Sequence, residues 1–207
     1  MPPSPTPSSQ TGSSQSPSSE TATWVIVLCG GASRRMGGED KTRARLGATT
    51  VLDRLLDTLP SCWDVVCVGE ERPTTRAVTW RRESPPGGGP VAGIAAGLLA
   101  LDSSVCVVVG GDMPFAATTL TLCYLTLQAS PGDDGVLGIG PDGRTQPLLA
   151  AYRTAALRRA MPAVSRGARL MSLLDAMQLG EVPCEPESAL DVDTPEALEH
   201  ARHIVGA

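Results

Sequence analysis

Aromatic residues are nearly missing from this 207-residue chain: three tryptophans, two tyrosines and one phenylalanine make up 3% of it. With 42% hydrophobic residues, the core must therefore be built from Val, Leu, Ile and Ala. Histidine is equally scarce. The two present, His200 and His203, lie three apart near the C-terminus and read as one solvated helix face, so no histidine-centred catalytic constellation is evident in the sequence. The nucleophile elbow G-x-S-x-G does not occur. Six cysteines are present but none forms C-x-x-C, and Cys67 and Cys106 sit inside apolar runs, so they are expected as reduced, mostly buried thiols. No apolar run approaches the roughly 20 residues of a membrane helix. Positive charge is the minority sign, 17 Lys and Arg against 22 Asp and Glu for a net charge of −5, which argues against a broad nucleic-acid footprint. Any polyanion must meet a local basic site.

The first 23 residues, "MPPSPTPSSQTGSSQSPSSETAT", are nearly all Ser, Pro, Thr, Gln and Gly. They are expected to be a disordered tail ahead of one domain over 24–207. With no basic n-region or apolar h-region they do not read as a signal peptide, and a cytoplasmic protein is expected.

From Trp24 onward, short apolar runs alternate with helical patterns. "WVIVLCG" (24–30), "DVVCVG" (64–69), "AVTW" (77–80) and "VCVVVGGD" (105–112) read as strands, the first and last buried on both faces. "GVLGIG" (135–140) and "QPLLAAYR" (146–153) read as strands around the turn "PDGR". Helices are predicted over 49–60, 91–102, 118–128, 154–161, 170–178 and 195–205, the last with Thr194 as N-cap and Pro195 at its first position. Such alternation predicts an α/β fold: a doubly wound, mostly parallel, Rossmann-like sheet with helices on both faces. Ligands of such sheets bind beyond the carboxyl ends of the strands. The segments found there are "GGASRRMGGEDK", "RRESPPGGGPVAG" and "GDMPF".

A glycine turn after a strand offers backbone N–H groups to phosphates, and Arg34, Arg35 and Lys41 add charged donors. A tight turn with exposed basic residues would look the same. The Walker A order fails, because Gly38 is separated from Lys41 by Glu39 and Asp40. "GGGPVA" (87–92) fits the dinucleotide fingerprint only formally, since Pro90 interrupts it. Asp112, just past a buried strand, reads either as a Mg2+ ligand or as a turn former. Asp193, in "LDVDTPEAL", reads either as a metal ligand or as a charge at a helix start. Phosphate donors and metal carboxylates without an evident nucleophile or base suit transfer at phosphorus by positioning and electrostatics.

"VLCGGASRRMGGEDK" resembles the L-x-G-G-x-S-x-R-M-G-x-x-D-K signature of molybdenum cofactor guanylyltransferases. "PPGGGPVAGI", "GGDMPF", "QPLLAAYR", "GARLMSLLD" and "DVDTPEAL" follow in that family's order, so the resemblance spans 24 to 205. It implies that GMP passes from GTP to the terminal phosphate of molybdopterin, with Mg2+ as cofactor and pyrophosphate released. Carried over by position, Leu28, Cys29 and Gly30 would line the nucleotide. Gly31, Arg35 and Lys41 would hold the triphosphate, with Arg35, Lys41 and Asp112 as the catalytic set. Asp112 would bind Mg2+ with Asp193 as a second ligand, and residues 167–174 would face the pterin. Hand-over to molybdenum-cofactor-handling proteins or target apoenzymes is implied as well, with no nucleic acid and no membrane involved. Four positions depart from the pattern. Cys29 replaces the usual Ala. "DVDTP" replaces Asn-Val-Asn-Thr-Pro. Ser84, with Glu83 beside it, stands where the family usually carries an Asp linked to guanine recognition. That leaves GTP open against CTP, and a phosphorylated acceptor other than molybdopterin, or a nucleotide binder without catalysis, as rival expectations.

Overall fold

A computed structural model describes residues 22–30 and 40–206. Seven strands form the central sheet in the order β5-β4-β1-β6-β8-β7-β9, and the expected doubly wound α/β architecture is what is observed. The strands are β1 (Trp24–Leu28), β4 (Asp64–Val68), β5 (Thr79–Arg81), β6 (Val105–Gly110), β7 (Gly135–Ile139), β8 (Thr145–Arg153) and β9 (Leu179–Pro183). Only β8 runs against its neighbours, pairing antiparallel with both β6 and β7. A two-stranded ribbon of β2 (Arg45–Leu46) and β3 (Thr49–Thr50) lies apart.

Val25, Val27 and Cys29 point to one face and Ile26 and Leu28 to the other, so β1 feeds two cores. On the first face pack α1 (Val51–Thr58), through Leu52, Leu55 and Leu56, and α3 (Ala117–Ala129), through Leu120, Cys123 and Leu127. On the second pack α2 (Pro90–Leu98), α4 (Thr154–Ala160) and α5 (Leu170–Leu174). Thr50 caps α1, accepting from Asp53 N at 3.1 Å. The small-residue composition of α2 lets it lie directly on β1: a Cβ at Gly97 would stand 2.6 Å from Ile26 Cγ2. The last helix, α6 (Pro195–Gly206), closes a third, smaller core with Leu46, Val51 and Val192, and Thr194 Oγ1 caps it by accepting from Ala197 N at 3.1 Å.

The predicted helix over 170–178 is shorter than expected. It stops at Leu174, and the chain turns at Met177 into β9, an edge strand paired parallel to β7 that the sequence did not suggest. Its "LGEVP" contains a glycine and a proline and buries only Val182, too faint an alternation to read. The hairpin of β7 and β8 turns through the expected "PDGR" (141–144), with Gly143 N donating to Gly140 O at 2.9 Å and Gly143 at φ 76°. No helix among the described residues is long and apolar enough to cross a membrane. Of the predicted tail, residues 1–21 lie outside the described residues.

Candidate active site

The carboxyl ends of β4, β1 and β6 are neighbours, and their backbones are laced together there. Cys29 N donates to Val68 O at 2.8 Å and Gly111 N to Leu28 O at 2.9 Å. The segments that leave β1, β5 and β6 border a cavity of about 360 Å3 at this seam, lined by Leu28, Cys29 and Gly30 at β1's end, Lys41 ahead of β2, Asp112 just past β6, and Gly87 and Gly89 ahead of α2.

Gly87 and Gly89 have φ of 78° and 89°, a conformation that L side chains rarely adopt, and Pro90 opens α2 immediately afterwards. This turn is therefore set by its own residues and brings the helix start to the cavity. Beyond it, Gly167 N donates to Gly88 O at 2.8 Å, laying the segment before α5 against the glycine turn.

Lys41 Nζ and Asp112 Oδ2 form an ion pair across the cavity mouth, with side chains 23% and 15% exposed. Asp112 O also accepts from Val192 N at 2.9 Å, which ties the loop carrying Asp191 and Asp193 to the end of β6. The Asp191 carboxyl is pushed up to about 6, first by burial and then by the negative charge of Asp112, with Lys41 opposing and Asp193 adding to the shift. Three carboxylates thus share one electrostatic neighbourhood. Among the described residues no three His, Cys, Asp or Glu side chains are arranged to cage a metal by themselves. The donor set is nevertheless all-oxygen and hard. Mg2+ commonly takes one or two carboxylates and completes its shell with water and substrate phosphates, so Asp112 with the adjoining aspartates fits that ion.

Glu83 also lines the cavity. Its Oε1 accepts from Gly87 N at 3.0 Å and faces Gly30, 3.8 Å from where a Cβ there would stand. Ser84 is not among the lining residues; the carboxylate beside it is. Gly31 and Arg35 lie outside the described residues. Asp193 sits on the docked loop, its N donating to Asp191 O at 3.0 Å.

Cys29 forms part of the cavity wall, but its thiol is pushed up well above the usual range by a hydrogen bond with Cys67 and by burial. Cys106 and Cys123 are pushed up to about 12, mainly by burial. All six cysteines are free, and five are buried, in keeping with the expectation of reduced, mostly buried thiols.

Sequence reasoning missed Asp40 and Thr42. Asp40 caps the 3-10 turn Lys41–Arg43, its Oδ1 accepting from Thr42 N at 3.0 Å and from Thr42 Oγ1 at 2.6 Å. The order Asp-Lys-Thr is a local capping signal that could have revealed this. Arg72, which joins the same turn from 30 residues away, had no such signal.

Residues 25–182 match the family profile described as the MobA-like NTP transferase domain. A probable molybdenum cofactor guanylyltransferase of Chloroflexus aggregans is 30% identical over 198 residues, covering 87% of this chain and 94% of that protein. Its namesake from Natronomonas pharaonis is 28% identical over 195 residues, covering 86% and 95%. Among solved structures, a molybdopterin-guanine dinucleotide biosynthesis protein A from Archaeoglobus fulgidus superposes with a TM-score of 0.69 at 26% identity, covering 88% of this chain and 98% of that one. A 2-C-methyl-D-erythritol 4-phosphate cytidylyltransferase from Thermus thermophilus shares the fold, with a TM-score of 0.66 at 18% identity and the same two coverages.

Proposed function

The chain belongs to the MobA-like NTP transferase domain family, and on that premise we propose that it transfers GMP from GTP to the terminal phosphate of molybdopterin. The observation that carries the reading is the Lys41–Asp112 pair at the mouth of a cavity lined by glycines. A lysine and a carboxylate held together in the free protein are what a metal–triphosphate complex would separate. Lys41 would turn to the phosphates, with Arg35 and Gly31 from the preceding loop. Asp112 would turn to Mg2+, with Asp193 as second ligand. The ion, when bound, neutralises phosphate charge. The acceptor phosphate is already ionised near neutral pH, so the protein need supply no general base. Its task is to align two anions and stabilise the charge that gathers on departing pyrophosphate.

Glu83 favours guanine. One carboxylate oxygen is held by Gly87 N, which fixes the group at the cavity wall. A carboxylate accepts hydrogen bonds only, and guanine presents two adjacent donors, N1–H and the 2-amino group, where cytosine presents one amino group. Leu28, Cys29 and Gly30 would line the nucleotide, and residues 167–174, laid against the glycine turn, would face the acceptor. Hand-over of the product to cofactor-handling proteins or apoenzymes in the cytoplasm completes this reading.

The test is direct. Purified protein with GTP, Mg2+ and molybdopterin should release pyrophosphate and form a product with the mass of the guanine dinucleotide. Product from CTP in preference to GTP would move the assignment to cytidylyl transfer. No product from any nucleotide would sink it.

A further inference from the structure

Arg72 lies in the loop between β4 and β5, and its side chain is only 8% exposed. A buried guanidinium needs partners, and Arg72 has three kinds: a carboxylate, a hydroxyl and an aromatic ring. Nη1 pairs with Asp40 Oδ2 at 3.2 Å, Nη2 donates to the Thr42 hydroxyl, and the guanidinium lies over the Trp80 ring at 5.3 Å from its centroid. Asp40 and Thr42 are the residues on either side of Lys41. Asp40 Oδ1 already holds Thr42 N and Thr42 Oγ1, so the planar fork of Arg72 grips both flanks of a turn that is closed on itself. Thr42 is 3% exposed and has no freedom to follow a different path. The backbone that carries Lys41 is therefore fixed from β5 and β4, while its ammonium reaches Asp112 at the end of β6.

We propose that Arg72 is the positioning residue for Lys41: stacked on Trp80 and bound to Asp40 and Thr42, it holds the Lys41–Arg43 turn so that the ammonium stands at the cavity mouth. The polar chain Trp80, Arg72, Asp40 and Thr42, Lys41, Asp112 crosses the carboxyl ends of four adjacent strands, β5-β4-β1-β6. Arg72 itself need touch no substrate. The inference rests on the reading of Lys41 as a triphosphate ligand.

A thermodynamic cycle tests it, with calorimetric titration of GTP–Mg2+ into the full chain as wild type, Arg72→Ala, Lys41→Ala and the double variant. Arg72→Ala should weaken binding about 10-fold, and the double variant should bind within about twofold of Lys41→Ala alone, because Arg72 acts through that side chain. Arg72→Lys, which keeps the charge but loses the planar fork, should fall between Arg72→Ala and wild type. A merely structural arginine would lower the melting temperature in both Arg72 variants yet leave the two losses in affinity multiplicative. Multiplicative losses, or unchanged affinity in Arg72→Ala, overturn the inference while leaving the functional reading intact. Should Arg72→Ala not fold, the same cycle with Arg72→Lys decides by the same criterion. Wild-type protein that binds none of GTP, CTP, ATP or UTP overturns the functional reading, and this inference with it.

Discussion

The two ends of the central sheet use the same residue type in opposite ways. At the amino end, arginines bind backbone. Arg76 donates to Leu59 O at 3.3 Å and Pro60 O at 3.0 Å, past the end of α1. Arg158 donates to Leu98 O at 3.1 Å and Leu101 O at 2.9 Å, at the last residue of α2 and just past it. Arg153 donates to Leu127 O at 3.2 Å and Ser130 O at 3.1 Å, in the last turn of α3 and just past it. Each guanidinium gathers carbonyls at or just beyond the end of a helix and lies at the negative end of its dipole. At the carboxyl end, Arg72 binds side chains to hold a turn, and the Lys41 on that turn binds the Asp112 carboxylate beside an open cavity. Carbonyl partners cannot be exchanged without opening the fold. A carboxylate partner can be exchanged for a phosphate. One end is built to stay as it is, the other to trade partners with a ligand.

Substitutions should separate the two ends. The largest effect belongs to the carboxyl end: Asp112→Ala or Lys41→Ala should lower turnover about 100- to 1,000-fold, in the range of losing one aligned charge stabiliser, while the melting temperature stays close to wild type. At the amino end the result should invert. Arg153→Ala leaves three carbonyls without their charged donor and should cost about 2–3 kcal/mol in denaturant unfolding, with turnover per folded molecule unchanged. Equal losses of activity and stability in both variants would erase the distinction.

Glu83→Gln tests the cavity wall more finely. It keeps one acceptor and adds a donor that repels guanine's own donors. The ratio of kcat/KM for GTP over CTP should fall about 10-fold, read from initial rates with each nucleotide. The smallest effect concerns Asp191. Its pKa of about 6 in the folded protein lies above the ordinary 3.8, so between these values the native state holds more protons than the unfolded chain. Stability from this group is full below about pH 4 and is lost as pH rises through 6. Asp191→Asn should flatten that part of the stability–pH curve, measured by urea unfolding without added divalent cation.

The same contrast explains what could be read from sequence. β1 and β6 were legible because strands buried on both faces leave continuous apolar runs, and α1 because its leucines repeat on one side. The edge strand β9 was not, because one buried side chain in five leaves no pattern. At the site, Asp112 was legible from its place just past a buried strand and Lys41 from its basic, glycine-rich loop, while Leu28, Cys29 and Gly30 were legible through the family signature. Glu83 stood one place from the position singled out, and a one-residue difference in an irregular loop cannot be resolved without coordinates. Arg72 could not be linked to Asp40 at all, because a contact spanning 32 residues depends on the pairing of β4 beside β1.

The proposed transfer turns on a guanine nucleotide seating at the carboxyl end of the sheet and taking Lys41 from Asp112. A thermal-shift panel of GTP, CTP, ATP and UTP with Mg2+ on wild type and Lys41→Ala tests it most directly, because a ligand that binds the native state raises its apparent stability. The largest rise is expected with GTP in wild type, with little or none in Lys41→Ala. Equal rises in the two proteins, or no rise with any nucleotide in wild type, would contradict it.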